Sequence, residues 1–138
     1  MYSFRVILES ACAMEAVQQA TDATLAKLDN HRKLPTRLST AEFISRNREF
    51  HCALFQASGN MRMETVAREF IEQMDRMTLI SINTIKDRDT AELVQEHCRI
   101  IDALQARKGR VAAKLVRKHV EDAAKRMLKG LSQSAIMT

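Results

Sequence analysis

Apolar residues along this chain recur at intervals of three and four, the period of helices, and nowhere alternate as strands require. The first run, Phe4, Val6, Ile7, Leu8, Ala11, Ala13, Met14 and Val17, predicts a well-buried helix over Tyr2–Ala20. Thr21 is placed to cap a shorter helix from Asp22 to about Asn30. The polar, basic stretch from His31 to Arg37 contains the only proline and reads as the longest exposed loop, with His31 a surface residue. Ser39-Thr40-Ala41-Glu42 has the spacing of a capping box and opens a third helix. Ser58-Gly59-Asn60 closes that helix, and Asn60 caps the next, Met61 to about Thr84, a Met-rich stretch suited to a pliable core or a dimer face. Asp89 and Glu92 repeat the capping-box spacing before a helix over Thr90–Ala106. A last helix follows Arg107-Lys108-Gly109 and runs to about Ser132, with an apolar stripe beginning at Val111 and a tail expected to fray. Short links join antiparallel neighbours, so the pattern predicts an all-α antiparallel bundle of about six helices.

Composition narrows the class. A chain of 138 residues with 46% hydrophobic positions is one domain, 1–138, with enough apolar side chains for a core. Three glycines and one proline suit long helices with short links. No run approaches the roughly 18 apolar residues of a membrane span, and the first residues do not resemble a signal peptide. Cys12, Cys52 and Cys98 are odd in number and scattered, as expected of reduced thiols in the cytoplasm. The net charge of +5 raises a nucleic-acid reading. It is set aside because Lys and Arg are interspersed with acids, and a single Tyr with no Trp leaves little for base stacking.

The candidate chemistry lies on the helix faces. Asn47 and His51, four apart, share a face with Phe43, Ile44, Phe50, Leu54 and Phe55. His97 falls on the stripe of Leu93, Val94, Ile100, Ile101 and Leu104, and His119 on that of Ala112, Leu115, Val116 and Ala123. One histidine on an apolar face is more often a satisfied core residue than a ligand. Three are different, because each unsatisfied buried imidazole costs about 1–3 kcal/mol. Three imidazoles from separate helices suit a first-row divalent ion, zinc above all, with nickel or manganese as alternatives, and the Asn47 amide oxygen is a further candidate ligand. No paired cysteines and no His-Glu-x-x-His motif are present, and Cys52 and Cys98 point away from the ligand direction.

Asn47-Arg-Glu-Phe-His51, running into Ala-Leu-Phe-Gln-Ala-Ser-Gly-Asn60, resembles the signature of the FCD domain, the C-terminal effector-binding and dimerisation domain of FadR-type GntR transcription regulators. Glu96-His97 with Ile100 and Leu104, His119 at 22 positions beyond, and Arg5 to Glu9 in the first helix extend the resemblance over nearly the whole chain. It implies a helical bundle around a central ligand or metal cavity, a homodimer, and a divalent metal at positions matching Asn47, His51, His97 and His119. It further implies a small carboxylate effector contacted by Arg5 and Asn47, although Arg5 is equally well placed for a plain ion pair with Glu9. The family usually has Asp where this chain has Asn47, which removes one negative charge from the site. Its members reach DNA through an N-terminal winged helix-turn-helix domain, and no stretch of this chain corresponds to one.

The expected function is therefore ligand sensing in a transcription regulator, without enzymatic activity and without a membrane. Two alternatives stand beside it: a metal-dependent hydrolase or lyase, for which no general base is evident, and a helical interaction module with ordinary core histidines.

Overall fold

The computed structural model describes the backbone of residues 2–34, 39–84 and 90–137, with side chains undescribed at 76–78, 80–84, 90, 130–131 and 133–137. Within it lie α1 (Tyr2–Gln19), α2 (Asp22–Ala26), a 3₁₀ turn (Lys27–His31), α3 (Thr40–Ala57), α4 (Met61–Thr84), α5 (Thr90–Gln105) and α6 (Gly109–Met137). The fold is an all-α bundle. α1 lies along α6 and against α3, α4 packs on both α3 and α6, and α5 closes on α6.

The predicted signals act where they were read. The Thr21 hydroxyl accepts from the Thr24 N–H. Ser39 accepts from the Glu42 N–H while Glu42 accepts from that of Ser39, a complete capping box. Gly59 takes φ +69° and Asn60 Oδ1 accepts from Met63, so a three-residue link reverses the chain from α3 to α4. The second helix has the expected extent but tightens into the 3₁₀ turn at Lys27. The expected capping box at Asp89 lies outside the described residues. The tail does not fray at Ser134, since α6 continues to Met137.

The link between α5 and α6 departs from the sequence reading. Gly109 is already the first residue of the last helix rather than part of the link before it, and Arg107 takes the left-handed conformation at φ 55°. The Lys108 N–H reaches the Ala103 carbonyl and the Arg107 N–H that of Leu104, the paired bonds of a Schellman end. A side chain in this conformation costs about 1–2 kcal/mol. Arg107 offsets it by donating to the Val17 and Ala20 carbonyls and to Asp22, tying the α5–α6 corner to the end of α1. Arg107 is a structural clamp.

The core holds Leu25 and Leu28, Phe50, Leu54 and Phe55 of α3, Ala67 and Ile71 of α4, Ile100, Ile101 and Leu104 of α5, and Ala112, Val116 and Val120 of α6. The first helix corrects the prediction. Its apolar residues Phe4, Ile7 and Met14 are exposed, and the face turned inward is Arg5, Glu9, Cys12, Ala13 and Ala16. Val111 is also exposed rather than part of the α6 stripe. The small Cys12, Ala13 and Ala16 let α1 settle close against its neighbours, and they place the charged pair Arg5–Glu9 inside the bundle.

Candidate metal centre

Three helices each deliver one imidazole to the bundle centre. His51 lies between Phe50 and Leu54 on the buried face of α3, His97 one turn before Ile100 and Ile101 on α5, and His119 one turn after Val116 on α6. Exposures of 2%, 7% and 5% leave the three rings almost no contact with solvent. Their Nε2 atoms converge. That of His119 lies 3.3 Å from Nε2 of His51 and 3.3 Å from Nε2 of His97. Phe50 stacks on the His97 ring at 4.0 Å between centroids and meets His51 edge-on, fixing both planes.

The rear nitrogens of two rings rest on carboxylates. Nδ1 of His51 lies 2.7 Å from Glu9 and Nδ1 of His119 lies 2.9 Å from Glu96. Glu9 also accepts from the Arg5 Nε, so Arg5, Glu9 and His51 form one buried chain from α1 to α3. Burial alone would push the Glu9 carboxyl up, but the Arg5 and His51 contacts outweigh it and hold it at about 2. Burial drives His51 down to about 4 against the pull of Glu9, and it holds His97 well below the usual imidazole range, helped by the neighbouring rings. Burial also raises the Glu96 carboxyl, but the His119 hydrogen bond and the nearby Arg126 bring it below its ordinary value.

These contacts leave the cluster short of protons. An ionised carboxylate only accepts, so Nδ1 of His51 and of His119 must each donate, leaving both Nε2 atoms as bare lone pairs when the rings are neutral. His97 can supply one Nε2–H at most. Two Nε2–Nε2 contacts therefore share one proton at most, and with the His97 proton on Nδ1 a cation between the rings would satisfy all three lone pairs. The two His119 distances fit such an ion: bonds of about 2.0–2.1 Å in tetrahedral array put ligand nitrogens about 3.3–3.4 Å apart. The three ligand nitrogens lie within 4.8 Å of one another, and among the described residues no thiol or carboxylate joins them.

The other expected site residues fall nearby. Asn47 is half-buried on the wall of a cavity of about 20 Å³, together with Phe43, Phe50, Leu93 and His97. Its His97 flank makes it a neighbour of the cluster. His31, expected at the surface, is half-buried on the same wall with its ring edge toward Phe50. Arg5 is buried and engaged with Glu9, the ion-pair reading of that residue. A second open space, a groove of about 380 Å³ between α5 and α6, is lined by Glu96 and His119 together with Arg99, Lys118 and Asp122. The centre itself is filled by the imidazoles, with the open space flanking it on two sides. Cys52 is buried away from the cluster, and Cys98 donates to the Arg32 carbonyl, consistent with structural thiols.

Sequence reasoning missed Glu9 and Glu96 as part of this site. Glu9 carried one faint signal, a charged residue four after Arg5 on a face otherwise made of small residues. Glu96 carried only its place in the family resemblance beside His97, which gave no hint that it serves His119 across the helix pair.

The model of the FCD domain matches residues 1–122, a span that includes all three histidines and both carboxylates. No curated protein matches the chain. The match covers most of the length and agrees with the helical bundle and its histidine centre: the chain belongs to the FCD domain family, the effector-binding regulatory domain of GntR-type transcription regulators.

Proposed function

We propose that this domain senses a small organic acid at a divalent metal held by His51, His97 and His119, with Asn47 as a further ligand, and passes the signal on as a homodimer in the cytoplasm. The observation that carries the reading is the convergence of three Nε2 atoms from α3, α5 and α6 with at most one proton among them. A divalent ion there supplies a positive anchor for carboxylate oxygens. Zinc suits three imidazoles best, and nickel and manganese are the alternatives. The protein side of the site is neutral at the ligand positions, since Asn47 brings an amide, and this favours an anionic effector.

Arg5 is the second proposed effector contact. Its guanidinium is committed to Glu9 in this structure, so an acid that engages it must compete with Glu9 and thereby act on the α1–α3 contact. Such a ligand shifts the bundle between arrangements only as far as it prefers one of them. In this reading DNA contact belongs to a winged helix-turn-helix domain and not to these helices. Among the described residues no helix is long and apolar enough to cross a membrane.

A hydrolytic role is disfavoured by the placement of the carboxylates. Glu9 and Glu96 are spent on the Nδ1 side of the rings, away from the Nε2 face where a reacting water would stand.

The test is a melting-temperature screen against mono-, di- and tricarboxylates with and without zinc, nickel or manganese. A metal that binds raises the midpoint with concentration, by about 2.7 kcal/mol of stability at one hundred times its dissociation constant. An effector adds a further rise only when metal is present. Protein purified without chelator that holds no metal, and whose melting ignores all three ions, would return the cluster to an ordinary histidine core.

A further inference from the structure

Glu9 and Glu96 differ from every other acid among the described residues in what they touch. Each faces the rear nitrogen of one ring in the cluster, at 2.7 Å and 2.9 Å, and each is backed by its own arginine, Arg5 or Arg126. The two arms come from unrelated parts of the fold. Glu9 reaches His51 from α1, whereas Glu96 reaches His119 from the neighbouring turn of α5. Neither geometry follows from core packing, since burying a carboxylate without a partner costs several kcal/mol. The third ring has a different support: Phe50 stacks on His97.

We propose that Glu9 and Glu96 are positioning residues that preset the metal site by locking His51 and His119 in the Nδ1–H tautomer, so that their Nε2 lone pairs face the ion before it arrives. This rests on the metal reading above. An imidazole free to choose puts its proton on either nitrogen, and in one form its Nε2 cannot bind. A carboxylate behind the ring removes that choice, fixes the ring plane and makes the ligand nitrogen more basic. With Asn47 neutral at the ligand positions, these carboxylates also bring negative charge near the ion without binding it.

The two arms are unequal. Glu9 is sealed at 1% exposure, while Glu96 is half-buried and lines the α5–α6 groove that opens to solvent. The His119 arm is therefore the adjustable one, open to whatever enters the groove, and the His51 arm is fixed by α1.

Two measurements separate this proposal from the metal reading. Long-range proton–nitrogen NMR on metal-free wild type reads the tautomers directly. His51 and His119 are expected as Nδ1–H, and either ring found as Nε2–H overturns its positioning arm whether or not metal binds. Chelator competition with zinc then compares wild type with Glu96→Gln, Glu96→Ala and Glu96→Asp. Loss of the carboxylate is expected to weaken zinc about 10–100-fold, with Glu96→Asp recovering part of that loss. Equal affinity in Glu96→Ala and wild type overturns the proposal. Glu9 is tested as Glu9→Gln with Arg5→Met, which removes both buried charges together and so avoids an orphaned arginine. An affinity no more than twofold weaker in this folded double variant overturns the Glu9 arm. Wild type that binds no zinc while showing both Nδ1–H tautomers defeats the metal reading alone.

Discussion

Acidifying the metal-free protein from pH 7 to pH 4 should remove a large part of its stability, because His51 is buried neutral. Its ordinary value is 6.5 and in the fold it stands at about 4. Between those two values the unfolded chain binds a proton that the folded chain refuses, so stability rises with pH there and falls on acidification. At about 1.4 kcal/mol per pH unit, the full loss from His51 is about 3 kcal/mol, complete near pH 4. His97 moves in the same direction and adds to it. Glu9 acts in a lower window. Its value falls from 4.5 to about 2, so it stabilises the fold above pH 4.5 and that contribution is lost as pH falls toward 2. Urea unfolding followed by circular dichroism at half-unit steps from pH 7.5 to 4, in chelator, measures the slope. His51→Gln should flatten it by about one proton, whatever its effect on stability at pH 7. A wild-type curve level between pH 6.5 and 4.5, or an unchanged slope in His51→Gln, would refute the burial argument. Saturating zinc should steepen the acid loss, since protons then compete with the ion for the same nitrogens.

Asn47→Asp should tighten zinc binding, read by the same chelator competition, because a carboxylate replaces an amide beside His97; no change would remove residue 47 from the ligand set. Gly59→Ala should destabilise the domain by about 1–2 kcal/mol in urea unfolding. The added methyl meets only ordinary contact with Gln19 at 3.6 Å, so the cost comes from φ +69° and not from crowding. His119→Ala should lower zinc affinity more than His97→Ala does, because the His119 Nε2 is the one within 3.3 Å of both other rings. Equal losses would mean the three ligands share the ion evenly.

Much of the fold was legible along the chain because its signals are local. A serine three residues before a glutamate satisfies helix-end donors wherever it occurs, and the Ser39–Glu42 box and the Gly59 turn formed as read. The stripes of α3 and α5 were legible for the same reason: helical period alone put Phe50, His51 and Leu54, or Leu93, His97 and Ile100, on one face. The first helix shows where that reasoning stops. Hydrophobicity favoured Phe4, Ile7 and Met14 as its buried residues, but the fold turned Arg5 and Glu9 inward, because His51 on α3 offers the carboxylate a partner that no local pattern reveals. Arg107 is a second case. Its left-handed backbone is unfavourable locally and is held by carbonyls of α1, about 90 residues back in the chain.

The site divides along the same line. The sequence by itself determined that three histidines would lie on the apolar faces of three helices, since burial follows from period. Only the tertiary structure decided that these faces meet, that Nε2 rather than Nδ1 points to the centre, and that Glu9 and Glu96 stand behind the rings. Which nitrogen of an imidazole is free depends on what hydrogen-bonds to the other, and that partner lies 42 residues away for His51 and 23 for His119.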